Sequence, residues 1–192
     1  MKECVENVNF TKRGDMTDKQ TPIKSLIIRI AASHLGIQEK PQNMGWHSPE
    51  FELKMKGIGW RPTWSYCCLW AKLVITTAYK LKYPEPEYTD KHKRLAKLFS
   101  ANSQQTFNNF FKDGTYPISD KPSDAALTIW KKVGVTGHTG IAAGKEDEKH
   151  IFTCYEANVL MPNGEQGISI KREKTEGSPA RKVMGFIEFI EW

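Results

Sequence analysis

A cysteine, a histidine and a carboxylate follow one another along the chain in an order that suits acyl transfer. Cys67 falls at the predicted start of an apolar helix, where unpaired backbone N–H groups and the helix dipole favour a thiolate. A nucleophilic cysteine needs a base within hydrogen-bond reach, and that base needs an orienting partner. His138 is the candidate base, and Glu156 or Asn158 is the candidate partner that fixes its tautomer through Nδ1.

The surroundings of the histidine favour this role. It lies in Gly137-His138-Thr139-Gly140 at the start of a predicted strand, where small flanking residues predict an uncovered imidazole. Glu156 and Asn158 lie two residues apart on the next predicted strand, so strand alternation places both side chains on one face. Each residue alone also has an ordinary structural explanation, because cysteine is common in protein cores. The prediction of a catalytic site depends on the order in which the cysteine, the histidine and the Glu/Asn pair occur along the chain.

The four cysteines match neither a zinc site nor a disulfide framework. Cys4, Cys67, Cys68 and Cys154 lack paired metal-ligand spacing, and adjacent cysteines have poor geometry for a mutual disulfide. This predicts a reduced protein with one reactive thiol, without a metal or cofactor. We prefer Cys67 to Cys68 as the nucleophile, because a shift of one residue turns a side chain by about 100° around a helix.

Composition narrows the class of protein. The 192 residues carry 28 Lys plus Arg against 22 Asp plus Glu, which gives a formal charge of +6, and 39% are hydrophobic. This composition argues against disorder, and no run approaches the ~18 apolar residues of a membrane span. No nucleic-acid-binding motif accompanies the charge. The first residues contain no apolar block, which predicts synthesis in the cytoplasm without a secretory signal.

The apolar periodicity changes from helical to β-type along the chain. We expect a polar, flexible tail over residues 1–20 and one catalytic domain over 21–192. Within that domain the pattern predicts a helix that Thr21 caps and Pro22 begins, a long irregular loop over 37–66, a helix over 67–81 and a helical region over 90–112. Five short β-type runs follow: Ala125–Trp130, Thr139–Ala143, Ile151–Tyr155, Ile168–Lys171 and Val183–Phe189. Helices first and strands second indicate an α+β fold with an antiparallel sheet.

Several other side chains have two explanations. Trp46, Trp60 and Trp64 in the irregular loop either line a groove or fold back as a satellite core. We expect Trp60, Trp64 and Tyr66 to bind substrate. His34 lies on the apolar stripe of the first helix, which is typical of a hydrogen-bonded core or boundary histidine rather than a ligand. The basic cluster at 91–97 has the spacing of a solvated helix face.

The motifs together resemble those of the CHAP amidases, which belong to the NlpC/P60 superfamily of papain-like peptidoglycan hydrolases. Tyr66-Cys67-Cys68-Leu69-Trp70-Ala71 is similar to the W-C-A-x-F-V signature of that family, and Lys121-Pro122-Ser123-Asp124-Ala125 to its P-G-D strand entry. Gly137-His138-Thr139-Gly140-Ile141 resembles G-H-V-G-I, and Glu156-Ala157-Asn158 resembles E-G-N. The resemblance covers about residues 22–192. Tyr66, Cys68 and Ser123 depart from the family pattern without removing a catalytic group.

The resemblance implies a papain-like fold with N-terminal helices packed on an antiparallel sheet of about five to six strands. It implies a cysteine hydrolase that cuts amide bonds in the peptide part of peptidoglycan. Cys67 would be the nucleophile, His138 the base, Glu156 the orienting residue and Asn158 an assisting residue, with no cofactor.

Two other functions fit the same pattern. One is a non-catalytic cell-wall-binding module on this fold, and the other is a cysteine peptidase that acts on a different amide substrate. The positive surface suits an anionic wall. A wall substrate implies action in the periplasm or cell wall after export or lysis, with a holin, a secretion system or a cognate inhibitor as partner.

Overall fold

The computed structural model describes residues 18–132 and 137–192, and within them helices come first and strands second. The five α-helices of this part of the chain are α1 (Ile23–Ser33), α2 (Pro49–Gly57), α3 (Cys67–Lys82), α4 (Thr89–Leu98) and α5 (Ser103–Asp113). The strands are β1 (Ile118–Ser119), β2 (Leu127–Lys132), β3 (Gly137–Ala142), β4 (Ile151–Leu160), β5 (Gln166–Lys174), β6 (Gly177–Ser178) and β7 (Arg181–Ile187). The predicted α+β class is confirmed. Most of the predicted flexible tail, residues 1–17, lies outside the described residues.

The strands form one antiparallel sheet in the order β1-β7-β2-β3-β4-β5, and β6 pairs with β7. The five longer strands correspond to the five predicted β-type runs. The two additional strands, β1 and β6, contain two residues each, which is too short to leave a period in the sequence. Because β3 and β4 are neighbours in the sheet, the second half of β3 lies beside the middle of β4, with Gly140 opposite Glu156.

The two faces of the sheet bury different side chains. Ile129 and Ile141 belong to the large core that the helices share with the sheet. Strand alternation sends Trp130, Ala142 and Cys154 to the opposite face, where they form a smaller buried cluster with three other apolar residues. His138 pairs directly with Trp130 across β2 and β3, so it belongs to this second face.

Helix α3 is the element around which the helical layer packs. Trp70, Ala71, Val74 and Ala78 are fully buried, which accounts for the apolar stripe in the sequence. The predicted bounds of this helix are confirmed to within one residue, since it begins at Cys67 and ends at Lys82. Its first residue is therefore fixed by the packing of the following three turns.

The predicted irregular loop over 37–66 needs correction, because it contains helix α2. The signals for this helix are present in the sequence: Ser48 accepts a hydrogen bond from the Phe51 N–H at 3.3 Å, and Pro49 occupies the first helical position. Ion pairs of the i, i+4 type, Glu50–Lys54 at 2.7 Å and Glu52–Lys56 at 2.6 Å, support its exposed face. The high Gly, Pro and Trp content of the region concealed it.

Two other boundaries differ from the prediction. The helical region over 90–112 is interrupted, and Asn102 caps the second part, α5, by accepting a hydrogen bond from the Gln105 N–H at 3.0 Å. The first helix begins at Ile23, with Pro22 rather than Thr21 in the capping position. The Ile23 N–H donates instead to Glu191 Oε1 at 2.8 Å, which ties the helix start to the C-terminal segment.

His34 and the basic cluster both have the structural roles that the sequence predicted. The Trp70 indole N–H donates to His34 Nδ1 at 3.2 Å, and the His34 ring meets Phe51 edge-on at 5.1 Å. Burial, assisted by the charge of Lys54, lowers the pKa of His34 to about 4. The basic side chains of α4 are exposed along one helix face. In the part of the chain that the structure describes, no helix combines the length and apolarity needed to cross a bilayer.

His34 makes stability depend on pH. Its folded-state pKa is about 4, below the ordinary 6.5, so the unfolded chain binds the proton more readily. The free energy of unfolding should fall as the pH drops from 6.5 to 4, by on the order of 2 kcal/mol from this group. His34→Gln keeps an acceptor for Trp70 but does not titrate. Denaturant unfolding at pH 7 and pH 4.5 should show a smaller acid loss in this variant, and equal losses would contradict the assignment.

Candidate active site

The thiol of Cys67 lies at the first residue of α3. Tyr66 precedes the helix without a side-chain capping bond, and the first turn contains no acidic residue. The first intrahelical bond runs from the Trp70 N–H to the Tyr66 carbonyl at 2.7 Å, so the N–H groups of residues 67–69 have no carbonyl four residues earlier within the helix. The helix terminus therefore presents unneutralised positive partial charge next to the thiol.

The sheet brings His138 and Glu156 into direct contact. Glu156 on β4 lies directly opposite Gly140 on β3. Gly140 comes two residues after His138, so the side chains of His138 and Glu156 extend from the same face of the sheet. His138 Nε2 and Glu156 Oε2 lie 2.7 Å apart, and both side chains are buried. The predicted contact through Nδ1 is wrong, because Nε2 holds the carboxylate. Nδ1 is the nitrogen that remains for Cys67.

The prediction of an uncovered imidazole also needs correction, since His138 is only 4% exposed. The glycines beside it permit close packing instead of solvent access. A Cβ atom at Gly137 would collide with the Ser103 hydroxyl and the Trp130 carbonyl. A Cβ atom at Gly140 would lie 2.5 Å from Cys154 Sγ and 2.9 Å from Glu156 Cγ. Glycine at both positions is thus a requirement of the local packing.

The electrostatics favour a thiolate next to an imidazolium. Hydrogen bonding from the Cys68 thiol and interaction with His138 hold the pKa of Cys67 well below its usual value, against the opposing effect of burial. Burial alone would lower the pKa of His138, yet its interactions with Cys67 and Glu156 raise that pKa to about 9. Between these two pKa values the site carries a separated charge pair, which is the reactive form of a cysteine nucleophile.

Two threonines beside the Cys67-Cys68 pair, Thr139 and Thr106, were not predicted as site residues. The Thr139 hydroxyl, which is fully buried, faces both Cys67 and Cys68. Cys68 Sγ lies 3.6 Å from Thr106 Oγ1, and burial together with the Cys67 charge raises the pKa of Cys68 well above its usual value. Cys68 is therefore held as a neutral thiol, and the two adjacent cysteines are chemically distinct. The Cys-Cys doublet was visible in the sequence, but the direction of each thiol was not.

A basic residue on β7 completes the charged cluster. Arg181 Nη1 lies 3.2 Å from Glu156 Oε2, and Arg181 Nη2 lies 2.5 Å from Glu173 Oε2. Burial would raise the pKa of Glu156, but His138 and Arg181 lower it below the usual value. The buried carboxyl is thus kept ionised. No sequence motif pointed to Arg181.

Asn158 does not share the position of Glu156. A β-bulge interrupts the pairing of β4 and β5 between Ala157 and Val159, and Asn158 adopts a left-handed φ of 62°. The period of two that predicted a common face therefore fails at this residue. The backbone of Asn158 faces the Tyr66 hydroxyl instead. Of the two predicted orienting residues, the structure brings only the Glu156 carboxylate to the imidazole.

The three predicted substrate-binding aromatics differ in exposure. Trp60 is 2% exposed and Tyr66 is fully buried; both pack on Trp46, with ring centroids 4.4 Å and 4.9 Å away. For these two the prediction needs correction, because their rings belong to the large core that the helices share with the sheet. Trp64 is 43% exposed, its carbonyl accepts from the Trp60 indole at 3.0 Å, and Arg61 lies over its ring. Trp64 is thus the aromatic available to a ligand.

The side chains present define what the site can do. Within residues 18–132 and 137–192, no three His, Cys, Asp or Glu side chains lie close enough together to hold a metal ion. The groups that converge are a nucleophile, a base that can become an acid, and a carboxylate that orients the base. This set is suited to acyl transfer through a thioester.

Comparisons with known proteins leave the family unassigned. No protein-family model matches the chain, and a search of curated proteins gives no match.

Gly140→Ala should disturb the site from within the sheet. The added methyl group would press on Cys154 and on the Glu156 stem, so we expect a loss of about 1–3 kcal/mol in unfolding free energy and a lower pKa of His138. Gly57→Ala is the matched control, because a Cβ atom there meets no heavy atom within 4 Å. Denaturant unfolding measures the first effect and histidine NMR titration the second. Wild-type values for Gly140→Ala would show that β3 and β4 are not packed this closely.

Proposed function

We propose that the chain is a papain-like cysteine hydrolase that cleaves amide bonds in the peptide part of bacterial peptidoglycan. The observation that carries the chemistry is the 2.7 Å contact between His138 and Glu156, with Cys67 at the start of α3 as the remaining neighbour of the imidazole. The substrate class rests on the joint motif resemblance and on the formal charge of +6, which suits an anionic polymer.

The first half of the reaction follows from the charge pair. The Cys67 thiolate attacks the carbonyl carbon of the scissile amide, and a C–S bond forms while the carbonyl π electrons move to oxygen. The unpaired N–H groups at the start of α3 are suited to stabilise this oxyanion. The protonated His138 donates its proton to the leaving nitrogen, the C–N bond breaks, and the amine leaves an acyl-enzyme thioester.

The second half restores the charge pair. His138, now neutral, accepts a proton from water as the water oxygen attacks the thioester carbon. The tetrahedral intermediate collapses, the C–S bond breaks, and the carboxylic acid product leaves. The thiolate of Cys67 and the imidazolium of His138 are then regenerated. Glu156 holds the imidazole orientation in both halves and stabilises its charged form.

The substrate must approach through the small exposed part of Cys67, whose side chain is otherwise buried. Trp64 stands three residues before the thiol and offers the exposed ring of the loop to a ligand. Action on peptidoglycan would take place outside the cytoplasmic membrane, reached by export or by lysis. A cognate inhibitor or a release partner would fit such an enzyme.

Digestion of purified peptidoglycan tests this proposal. Wild-type protein should release fragments whose masses show one hydrolysed amide, and Cys67→Ala should lose at least about 10³-fold in rate. Cys68→Ala retains the nucleophile and should stay within about tenfold of wild type. Cys154→Ala, which removes another buried thiol, is the matched control and should remain active.

Three results would contradict the proposal. Full activity of Cys67→Ala would exclude the thiol mechanism. Wild-type protein that cosediments with cell walls of several compositions but releases no fragment would favour the binding-module explanation. Release of amide products only from unrelated peptides would favour a cysteine peptidase with a different substrate.

A further inference from the structure

The Arg181 side chain contacts three residues next to the candidate site: Glu156, Glu173 and Trp130. Its guanidinium contacts Glu156 at 3.2 Å and Glu173 at 2.5 Å, and its Cζ lies 4.5 Å from the centre of the Trp130 ring. The Trp130 ring in turn lies 5.5 Å from the His138 ring. The fork of an arginine suits this arrangement, because each Nη atom binds a different carboxylate while the flat face covers an aromatic ring.

The two carboxylates would conflict without this cation. The Glu156 side chain is 1% exposed and that of Glu173 is 18% exposed. Burial and the charge of Glu156 raise the pKa of Glu173, even with Arg181 between them. Two neighbouring buried carboxylates without a cation hold a shared proton, since like charges in low dielectric cannot both ionise.

The same oxygen of Glu156 serves both neighbours. Oε2 accepts from His138 at 2.7 Å and lies 3.2 Å from Arg181, whereas Oε1 is buried. The titratable groups that face Glu156 are His138 on β3, Cys154 on β4, Glu173 on β5 and Arg181 on β7. Arg181 is the permanent cation in this set, because a guanidinium stays charged at all working pH values.

We propose that Arg181 is a positioning residue of the hydrolase, which keeps Glu156 ionised and aims its Oε2 at His138, so that the imidazolium persists beside Cys67. This inference rests on the proposed cysteine chemistry and adds to it a residue beyond nucleophile, base and orienter. Arg181 acts through Glu156 and His138 and does not touch the reacting atoms.

Loss of the Arg181 charge should change the pH at which Cys67 becomes reactive, and the direction of that change can be worked out. When Arg181 is replaced by a neutral residue, Glu156 takes up a proton at higher pH than before. Below that pH the imidazolium loses its partner, and the thiolate of Cys67 loses its counter-ion. The loss of a nearby positive charge also disfavours a thiolate directly. Both effects move the acid limb of Cys67 reactivity to higher pH.

The test compares full-length Arg181→Gln and Arg181→Lys with wild type. The rate of Cys67 alkylation by iodoacetamide is followed from pH 4 to pH 9 by mass spectrometry, and folding is checked by denaturant unfolding. Arg181→Gln should raise the acid midpoint by about one pH unit. Arg181→Lys should give a smaller shift in the same direction, because one ammonium group cannot bind both carboxylates.

Arg172→Gln is the matched control. Arg172 also pairs with an acid, Asp147 at 2.8 Å, but on the exposed part of β5. The acid midpoint of Cys67 alkylation in Arg172→Gln should equal that of wild type. A folded Arg181→Gln with a wild-type midpoint would overturn the proposal. If Arg181→Gln does not fold, the Lys variant decides, and a wild-type midpoint there overturns it.

The alkylation assay needs no peptidoglycan, so the two proposals can fail separately. A shifted midpoint in Arg181→Gln without any wall digestion by wild type would support the role of Arg181 and reject the substrate. Active digestion with an unshifted midpoint would do the reverse.

Discussion

Four charged groups are buried side by side at the candidate site, and they are tolerated there because they alternate in sign. The thiolate of Cys67, the imidazolium of His138, the carboxylate of Glu156 and the guanidinium of Arg181 follow one another from α3 to β7. Each charge has an opposite neighbour, which offsets the cost of removing it from water. If one member is removed, its neighbour is left as an unpaired buried charge. Stability and chemistry are therefore linked at this place in the fold.

The antiparallel sheet supplies the spacing that this alternation needs. Strand β2 pairs with β3 on one side and β7 on the other, and β3 pairs with β4. His138, Glu156 and Arg181 thus come from three strands of one rigid surface. The thiol comes from α3, which the buried Trp70 and Val74 hold in the helical layer. Gly137 and Gly140 of β3 let neighbouring strands and α5 pack closely around His138. The positions of the charged side chains therefore depend on these two glycines.

The sequence predicts those features that depend on local pattern. The apolar period of α3 and the loop before it locate Cys67 at a helix start, and His34 follows from its place on an apolar stripe. The order of β-type runs gives the α+β class. Helix α2 was predictable from Ser48 and Pro49, but the Gly, Pro and Trp content of the region outweighed those two signals.

Features that depend on register or on distant contacts were not predictable. The contact of Glu156 with Nε2 requires the pairing of Gly140 with Glu156, which no period specifies. The bulge at Asn158 breaks the alternation on which its predicted position depended. Arg181 reaches Glu156 from a strand 25 residues later in the chain. Burial of Trp60 and Tyr66 depends on how α2 folds against α1 and α3, so composition alone left it open.

His138 is an imidazolium because Cys67 is a thiolate. Nitrogen-15 NMR of the histidine ring, recorded from pH 5 to pH 10 in wild type and in Cys67→Ala, tests this coupling of the two charges. We expect His138 to titrate at about 9 in wild type, with both ring nitrogens protonated at neutral pH, and at a lower pH in Cys67→Ala. Titration near the ordinary 6.5 in wild type, unchanged in Cys67→Ala, would contradict it.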